Sequence, residues 1–540
     1  MKNKRILTFL FLVSSVLVNV ANDPLATISI RNFDHFKASV GRLIALANPE
    51  AAADFDSRLL QEIGVKDLSG IDTDRAWHAG IWYTGIGAPT VVGLYIPVSD
   101  FGTFQSSLVD GGGLKGVKNQ NEIFQSGPFA VVVPRQGAQK ALGDAEQASL
   151  SQWTPEPDDA SQGIVRIQVK PDEAIRTQVL SLTMLGRMSM IQGMAGADSG
   201  AVVGAYNQKA MMEMLGVYLD VFETFIRGLS VLKLDFDADD EFLKINKNIT
   251  ATPDSELRRW LTSPNADLNP LMAYLKSDAP MSFAGGFGDN TELIPLIKKI
   301  TLLSFSLQNI SPDDALKKDV EELISQLFPM SYAGSIDLAP GFSWSAAYAF
   351  PKADLKGVQD RIRGFMEQTI QMQVGEKKPY KQGGLTRNQR KVGEVDVDRI
   401  SLEFNLDSPL YQDPAQKEIV KKMWVDGKMI MDFGIQGNRM IMGSPQRFEE
   451  LLKLGEGNTK TVSTKLVPNL NTLLWGRMDP FALFRWGASM NPFLTTTAGP
   501  LLDGLKGKKA DVLMKIDVNE SFNGDFWIPL SAISSFRSVQ

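Results

Sequence analysis

Two stretches of the sequence decide the fold. His78–Leu108 reads HAGIWYTGIGAPTVVGLYIPVSDFGTFQSSL, and Tyr332–Ile362 reads YAGSIDLAPGFSWSAAYAFPKADLKGVQDRI. With one constant offset in residue number, the two stretches align without a gap, and Pro97 is then aligned with Pro351. In each stretch an apolar, β-prone run ends at a proline, which cannot donate to a sheet ladder. An aspartate follows where a helix N-cap belongs. The repeated pattern is strand, proline, cap and helix.

The predicted caps are Asp100 and Asp354, and apolar residues recur at helical spacing after each of them. Further matches follow in the same order: Phe124–Gly127 with Phe433–Gly437, Ile164–Pro171 with Leu473–Pro480, Val231–Asp235 with Leu513–Asp517, and Pro253–Trp260 with Pro529–Phe536. The sequence therefore predicts an α+β fold made of two tandem, diverged copies of one unit. The alternative is that any α+β protein contains such strand–helix junctions.

Each unit is expected to contain a mainly antiparallel sheet, because the predicted strands are joined by short hairpins. Helices packed on one face of that sheet would form the second layer. The first unit is predicted to span residues 22–264 and the second residues 278–540. The copies differ by two insertions, a Met-rich helical hairpin at about 172–229 and a segment at about 369–424.

The N-terminus has the pattern of a secretory signal peptide, predicted to cover residues 1–21. Three basic residues precede the apolar run Ile6–Val18, and a small residue, Ala21, stands before the expected cut. As a helix this run would be about 20 Å long, which is shorter than the ~30 Å hydrocarbon core. We therefore expect cleavage and export to the periplasm or the exterior of a bacterial envelope, with a retained anchor as the alternative. The mature chain is expected to have no transmembrane segment.

The chain contains no cysteine, which excludes disulfides, thiolate metal sites and a cysteine nucleophile. Its 62 acidic residues outnumber its 56 Lys and Arg residues, for a formal net charge of −6. Nucleic-acid binders need concentrated positive charge to contact phosphates, so a nucleic-acid partner is not expected.

Histidine, the commonest general base, occurs only as His35 and His78. The second copy has Tyr332 where the first has His78, which favours a structural role for this position. No serine lies in a nucleophile-elbow pattern, although a catalytic triad without that pattern stays open. The sequence thus predicts no catalytic, cofactor-binding or metal-binding residue.

Three polar or glycine-rich stretches have ordinary structural explanations. The acidic run Asp235–Glu241 fails the EF-hand pattern and is predicted to be a hairpin tip, with weak Ca²⁺ binding as the alternative. Gly111–Gly116 lacks the spacing of a phosphate-binding loop and is predicted to be a flexible turn. A basic patch is predicted to be a solvated loop, or else a docking surface for an anionic partner. It contains Lys377, Lys378, Lys381, Arg387, Arg390 and Lys391.

The Met-rich hairpin is the best candidate for a contact surface. Methionine is flexible and polarisable, and it suits surfaces that accept varied apolar ligands. Core packing is the ordinary explanation of such helices and remains the alternative. The candidate contact residues are Met184, Met188, Met194, Met211, Met214 and Phe222.

The strand–Pro-x-x-Asp–helix repeats resemble large exported bacterial proteins classed as domains of unknown function. The resemblance implies an envelope location and no particular activity. The preferred hypothesis is a non-enzymatic exported binding protein for a lipid, an apolar peptide or another envelope protein. The alternatives are a carboxylate-based hydrolase and a structural or assembly component of the envelope.

Overall fold

The structure is a computed structural model of the chain. It describes residues 24–82, 91–116, 120–134, 153–155, 163–195, 202–203, 206–262, 266–307, 312–338, 342–376, 378–408, 411, 413–455, 465–490 and 499–537. The predicted signal peptide lies outside these residues. The chain divides into two compact units, the first made of Met1–Met184 with Phe225–Thr252, and the second of Leu185–Thr224 with Pro253–Gln540.

The chain contains ten strands and six helices among the described residues up to residue 252. The strands are β1 (Ala26–Ile30), β2 (Trp77–Trp82), β3 (Val91–Pro97), β4 (Asn121–Ser126), β5 (Phe129–Pro134), β6 (Val165–Val169), β7 (Val202–Val203), β8 (Tyr206–Asn207), β9 (Leu229–Ala238) and β10 (Phe242–Ala251). The helices are α1 (Phe33–Ala47), α2 (Pro49–Ala53), α3 (Phe55–Ile63), α4 (Phe101–Ser107), α5 (Glu173–Ala195) and α6 (Gln208–Gly228).

The sheet of the first unit is antiparallel. Its described strands lie in the order β4–β5–β3–β2–β1–β6–β9–β10. Strands β7 and β8, which belong to the second unit, pair with each other. The central strands are in register across the sheet, so that Ile28 lies opposite Ala79, and Ala79 lies opposite Leu94.

The second unit is also built of strands and helices. Its strands are β11 (Met281–Phe287), β12 (Met330–Asp337), β13 (Ser343–Ala349), β14 (Tyr380–Val392), β15 (Val395–Phe404), β16 (Lys428–Gln436), β17 (Arg439–Gly443), β18 (Thr472–Met478), β19 (Val512–Val518) and β20 (Ser521–Pro529). Its helices are α7 (Glu256–Thr262), α8 (Asn269–Met272), α9 (Leu293–Leu307), α10 (Asp314–Leu327), α11 (Leu355–Gln373), α12 (Pro414–Met423), α13 (Pro445–Gly455), α14 (Pro480–Met490), α15 (Gly499–Gly504) and α16 (Leu530–Arg537).

The sheet of the second unit is also antiparallel. Its described strands lie in the order β14–β15–β16–β17–β13–β12–β11–β18–β19–β20. Among the described residues β14 pairs along its length only with β15, so it is an edge strand. The predicted α+β class with a mainly antiparallel sheet is confirmed.

The first unit packs its main core between one sheet face and helices α1, α3 and α4. Phe33 of α1 stacks on Trp77 of β2, with ring centroids 4.9 Å apart. The opposite sheet face holds an aromatic cluster in which Trp153 meets Tyr95 edge-on at 4.7 Å. Burial raises the pKa of Tyr95, because a phenolate there would lose its hydration.

The second unit packs helices on both faces of its sheet, so the expectation of helices on one face is wrong here. Neighbouring residues of β17 show this, because successive side chains of a strand point to opposite faces. Ile441 packs with Phe448 of α13, and Met440 packs with Val358 of α11. The sequence patterns mark each helix but do not state on which side of the sheet it crosses.

The segment that joins the two predicted units is part of a core. Leu268, Leu271, Tyr274 and Leu275 are almost fully buried, and they pack with Trp475 and residues of α13. This segment therefore contributes to the stability of the second unit.

Both predicted helix caps are confirmed. Asp100 accepts a hydrogen bond from the backbone N–H of Thr103 at 2.5 Å, and Asp354 accepts from the N–H groups of Lys356 and Gly357 at 3.2 Å. In each case the cap follows the proline that ends or follows the preceding strand. Local chemistry thus fixes the start of α4 and α11.

Hydrogen bonding from Thr103 lowers the pKa of Asp100 below the usual value for aspartate, about 3.9. Ionised Asp100 therefore stabilises the fold above that value, and this contribution is lost as the pH falls through the lowered pKa. We expect Asp100→Asn, which keeps a cap acceptor, to remove this dependence. Urea unfolding of both proteins along a pH series should show their stability difference shrinking below about pH 4. A stability difference between the two proteins that does not change with pH would contradict a lowered pKa of Asp100.

The basic patch was predicted to be a loop, and this is wrong for four of its six residues; Lys378 lies in a bend before the strand, and Lys377 lies outside the described residues. Lys381, Arg387, Arg390 and Lys391 lie on the edge strand β14, whose side chains are mostly exposed. Arg387 forms a bidentate pair with Glu367 at 3.0 and 2.9 Å. Because this strand lacks an alternating buried face over most of its length, the apolar alternation that marks strands is missing.

Among the described residues, no helix combines the length and apolar character needed to cross a lipid bilayer.

Candidate functional site

Helices α5 and α6 are the Met-rich helical pair that the sequence predicted. The carboxylate of Asp172 caps α5 by accepting from the backbone N–H of Ile175 at 2.8 Å. The two helices are 23 and 21 residues long. The link at residues 196–200, predicted to turn the chain between them, lies outside the described residues. Residues 185–224, which include most of α6, belong to the second unit.

Arg187 joins the two helices by a pair of charged hydrogen bonds. Its Nη2 donates to Asp220 at 2.6 Å, and its Nε donates to Glu223 at 3.0 Å. The hydrogen bond to Asp220 is the main reason why the pKa of Arg187 is raised. Exposed ion pairs stabilise folds only weakly. The main effect of this clamp is therefore to fix which faces of α5 and α6 lie next to each other.

The two helices carry most of the exposed large apolar side chains of the described residues. Eleven such side chains are exposed, and seven of them lie on α5 and α6. These seven are Leu182, Met184, Leu185, Met188, Leu215, Tyr218 and Phe222. Scattered apolar residues on a surface are normal, but a concentration of this kind marks an interaction site.

Helix α6 has two distinct apolar faces. Ala210, Met214 and Val217 are buried, and their spacing of four and three residues places them on one face. Leu215 and Tyr218 follow the same spacing one position later, which rotates them about 100° around the helix. One face packs against the protein, and the other faces solvent.

We define the hairpin face as the exposed apolar residues of α5 and α6 that belong to the second unit. They are Leu185, Met188, Leu215, Tyr218 and Phe222. Tyr218 is the most exposed of them, at 59%. The two helices carry four acidic and four basic side chains, so the face has no excess of either charge. Its chemistry suits the burial of apolar surface.

The structure separates the six predicted contact residues. Met184, Met188 and Phe222 are exposed, as a contact surface requires. Met214 is buried, so at this position core packing is the better explanation. Met211 is half-buried, and the side chain of Met194 lies outside the described residues.

Three residues of the hairpin face were missing from the predicted set, namely Leu185, Leu215 and Tyr218. A signal for α6 was present in the sequence. Met211, Leu215, Tyr218 and Phe222 repeat at four, three and four residues, which is the spacing of one helical face. Selecting residues by type rather than by helical position hid this face.

The two histidines occupy structural positions. His78 is buried in β2, opposite Ser29 and Tyr95, and its ring meets the edge of Phe129 at 6.2 Å. His35 lies in the first turn of α1, where its backbone N–H donates to the cap residue Asn32 at 2.7 Å.

The acidic run at residues 235–241 forms a hairpin tip, as predicted. Asp239 accepts from the backbone N–H groups of Glu241 and Phe242 at 2.8 and 2.7 Å, which closes the turn between β9 and β10. Asp235 pairs with Arg166 at 2.7 Å. Within the described ranges no three acidic or histidine side chains converge as a metal site would require.

Comparison with other proteins gives no match. No protein-family model matches the sequence, and no curated protein or solved structure matches it significantly. The geometry of the hairpin face is therefore the basis on which its role has to be argued.

Proposed function

We propose that this chain is a non-enzymatic, exported binding protein that holds an apolar segment of another envelope protein on the hairpin face. The observation that carries the proposal is the exposure of Leu185, Met188, Leu215, Tyr218 and Phe222 on two clamped helices. Leaving these side chains in water is unfavourable, and covering them would gain about 25 cal/mol for each Å² buried.

The charge of the two helices favours a protein partner over a lipid surface. Helices that lie on anionic membranes carry an excess of Lys and Arg on their polar face. Here acidic and basic side chains are equal in number, and Arg187 is already bound to Asp220 and Glu223. Met188 and Tyr218 supply an adaptable and an amphipathic contact, both of which are common at protein interfaces.

The buried carboxylates support a binding role over the alternative of a carboxylate-based hydrolase. Three are buried among the described residues, namely Asp398, Asp432 and Asp479. Arginine side chains bind the first two, and Asp479 caps α14 by accepting from two backbone N–H groups. Each therefore has a structural use.

We further propose that the two units are diverged copies of one ancestral unit. The strand order in the first sheet is β4–β5–β3–β2–β1–β6–β9–β10. Replacing each strand by the strand that matches it in sequence gives β16–β17–β13–β12–β11–β18–β19–β20, which is the order found in the second sheet. Pro97 closes β3 and Pro351 follows β13, which occupy equivalent places in the two orders. Identical ordering of eight strands supports a duplication over a chance recurrence of strand–helix junctions.

The insertions fit the same proposal. Strands β14 and β15 and helix α12 lie in the interval predicted to be extra in the second copy, and they have no counterpart in the first order. Helices α5 and α6 lie in the interval predicted to be extra in the first copy. The hairpin face is thus an addition to a shared framework, which suits a specialised contact surface.

Export is part of the proposal and rests on the sequence. The basic residues and the apolar run Ile6–Val18 support a signal peptide, and the absence of cysteine agrees with a fold that needs no disulfides. N-terminal sequencing of the protein recovered from the cell envelope would test it. A mature chain that begins near Asn22 is expected.

Photocrosslinking tests the proposed partner. We expect p-benzoylphenylalanine in place of Tyr218, irradiated in cells that make the protein, to give a crosslinked adduct of one discrete additional protein mass. The same should hold at Leu215, because both side chains belong to the hairpin face. Adducts are read by immunoblot and mass spectrometry.

Val425 provides the matched control, because it is an exposed aliphatic residue outside the hairpin, at 69% exposure. The probe at this position should give no discrete adduct. Equal crosslinking at Val425 and Tyr218 would contradict a specific face, and an adduct with lipid alone would contradict a protein partner.

A further inference from the structure

A second apolar site lies in the first unit, on the sheet face that carries Trp77. Ile28, Ala79, Leu94 and Val132 form one row across four neighbouring strands, since each lies opposite the next in the ladder. Ala26, Ile81 and Val92 form the adjacent row on the same face. Val132 is buried, but the other side chains of the two rows are only partly buried, although they stand on central strands.

Apart from Ala26, the residues of the two rows form the floor of a pocket of about 440 Å³. Small-molecule sites in proteins typically have volumes of roughly 300–1,000 Å³ and mostly apolar linings. The described lining also includes Trp77, Leu114, Asn121 and one histidine, His78. It contains no lysine, arginine, aspartate or glutamate. We call this the sheet-face pocket.

One wall of the sheet-face pocket is fixed in place by backbone contacts. Gly113 and Leu114 line it, and the N–H of Leu114 donates to the carbonyl of Ile63, at the end of α3, at 2.7 Å. A Cβ on Gly113 would stand 1.9 Å from the carbonyl oxygen of Glu62, so only glycine allows this approach. Asn121 ties the same turn down by donating from Nδ2 to the carbonyl of Leu114 at 2.8 Å.

This arrangement makes the pocket preformed, which lowers the entropic cost of binding a ligand. It also gives the glycine-rich stretch at residues 111–116 a structural purpose, because its glycines let the turn pack closely against α3. Because lysine, arginine, aspartate and glutamate are absent from the described lining, an anionic or cationic ligand is disfavoured, since its charge would lose hydration without compensation.

We propose that the sheet-face pocket binds an uncharged, mainly aliphatic small molecule. This site is separate from the hairpin face in sequence and in ligand class, and it goes beyond the proposed function. The aliphatic floor supplies the binding energy, and the fixed wall sets the size of the ligand.

Nile red, an uncharged dye that fluoresces in apolar surroundings, tests the proposal with the full mature chain. We expect saturable binding at one site per chain, displaced by dodecanol and far less by dodecanoate, which has the same chain length and a negative charge. Ala79→Phe places a ring over the pocket floor and should abolish this binding. Val92→Thr keeps the side-chain shape, and it should weaken dodecanol binding by about tenfold.

Leu215→Gln is the matched control, because dye bound to the hairpin face would be lost in this variant. The proposal requires that Leu215→Gln bind dye as the parent protein does. The proposal is overturned if the parent protein shows no saturable dye binding. It is also overturned if folded Ala79→Phe and Val92→Thr bind dye like the parent, or if only Leu215→Gln loses binding. Should Ala79→Phe fail to fold, Val92→Thr decides. Crosslinking at Tyr218 is scored separately, so either proposal can fail alone.

Discussion

Replacing Asp398 by alanine is expected to destabilise the second unit by about 3–5 kcal/mol, because Arg363, which is only 14% exposed, loses its buried counter-charge. Asp398 is fully buried, and Arg363 donates to its two carboxylate oxygens at 2.7 and 2.9 Å. Gln359 and the backbone N–H of Asn388 each donate to it at 2.9 Å. Urea unfolding followed by circular dichroism measures the loss.

Two further variants separate the charge effect from general damage to the core. In the double variant Asp398→Leu with Arg363→Met both charges are removed, and most of the lost stability should return. Arg387→Met breaks the exposed pair with Glu367 and should have a far smaller effect. A double variant as unstable as Asp398→Ala would show that shape, rather than charge pairing, determines the cost.

Replacing Trp475 by alanine is expected to cost about 3–5 kcal/mol, because it leaves a large cavity in the core of the second unit. Trp475 is fully buried on β18, between Ala284 of β11 and Lys515 of β19 in the ladder. Its Nε1 donates to the carbonyl of Leu466 at 2.8 Å. The loss is again measured as the change in unfolding free energy in urea.

Trp475→Phe provides the graded comparison. It keeps most of the aromatic volume but leaves the carbonyl of Leu466 without its indole donor, which costs about 1–3 kcal/mol. We therefore expect its stability to lie between those of the parent and the alanine variant. Equal losses in the two variants would mean that the hydrogen bond, and not the buried volume, dominates.

Features that depend on local chemistry could be predicted from the sequence. Asp100 and Asp354 were recognised as caps because a carboxylate that follows a strand-ending proline can accept hydrogen bonds from the first free amides of a helix. The hairpin tip around Asp239 was recognised because two alternating runs flank it. In these cases the signal lies within a few residues.

Features that depend on distant partners could not be predicted. Asp432 binds Arg390 and Arg399, whose positions 42 and 33 residues away gave no sign of the pairing. The sequence placed Met214 and Leu215 on a helix, yet only tertiary packing decides that the first is buried and the second exposed. Sequence alone therefore found the hairpin but not its exposed face.

The irregular register of β14 affects whether a second molecule could add a strand at this edge of the sheet. The ladder with β15 shifts between Thr386 and Arg390, and Asn388 adopts a positive φ of 46° there. Such a kink twists the edge strand, so its free backbone groups do not form a straight edge to which a second molecule could add a strand. Lys381 and Lys391 on the same strand add positive charge that would repel an identical copy, whereas Arg387 and Arg390 are paired with carboxylates. The kink and these lysines therefore disfavour the addition of a strand from a second molecule at this edge of the sheet.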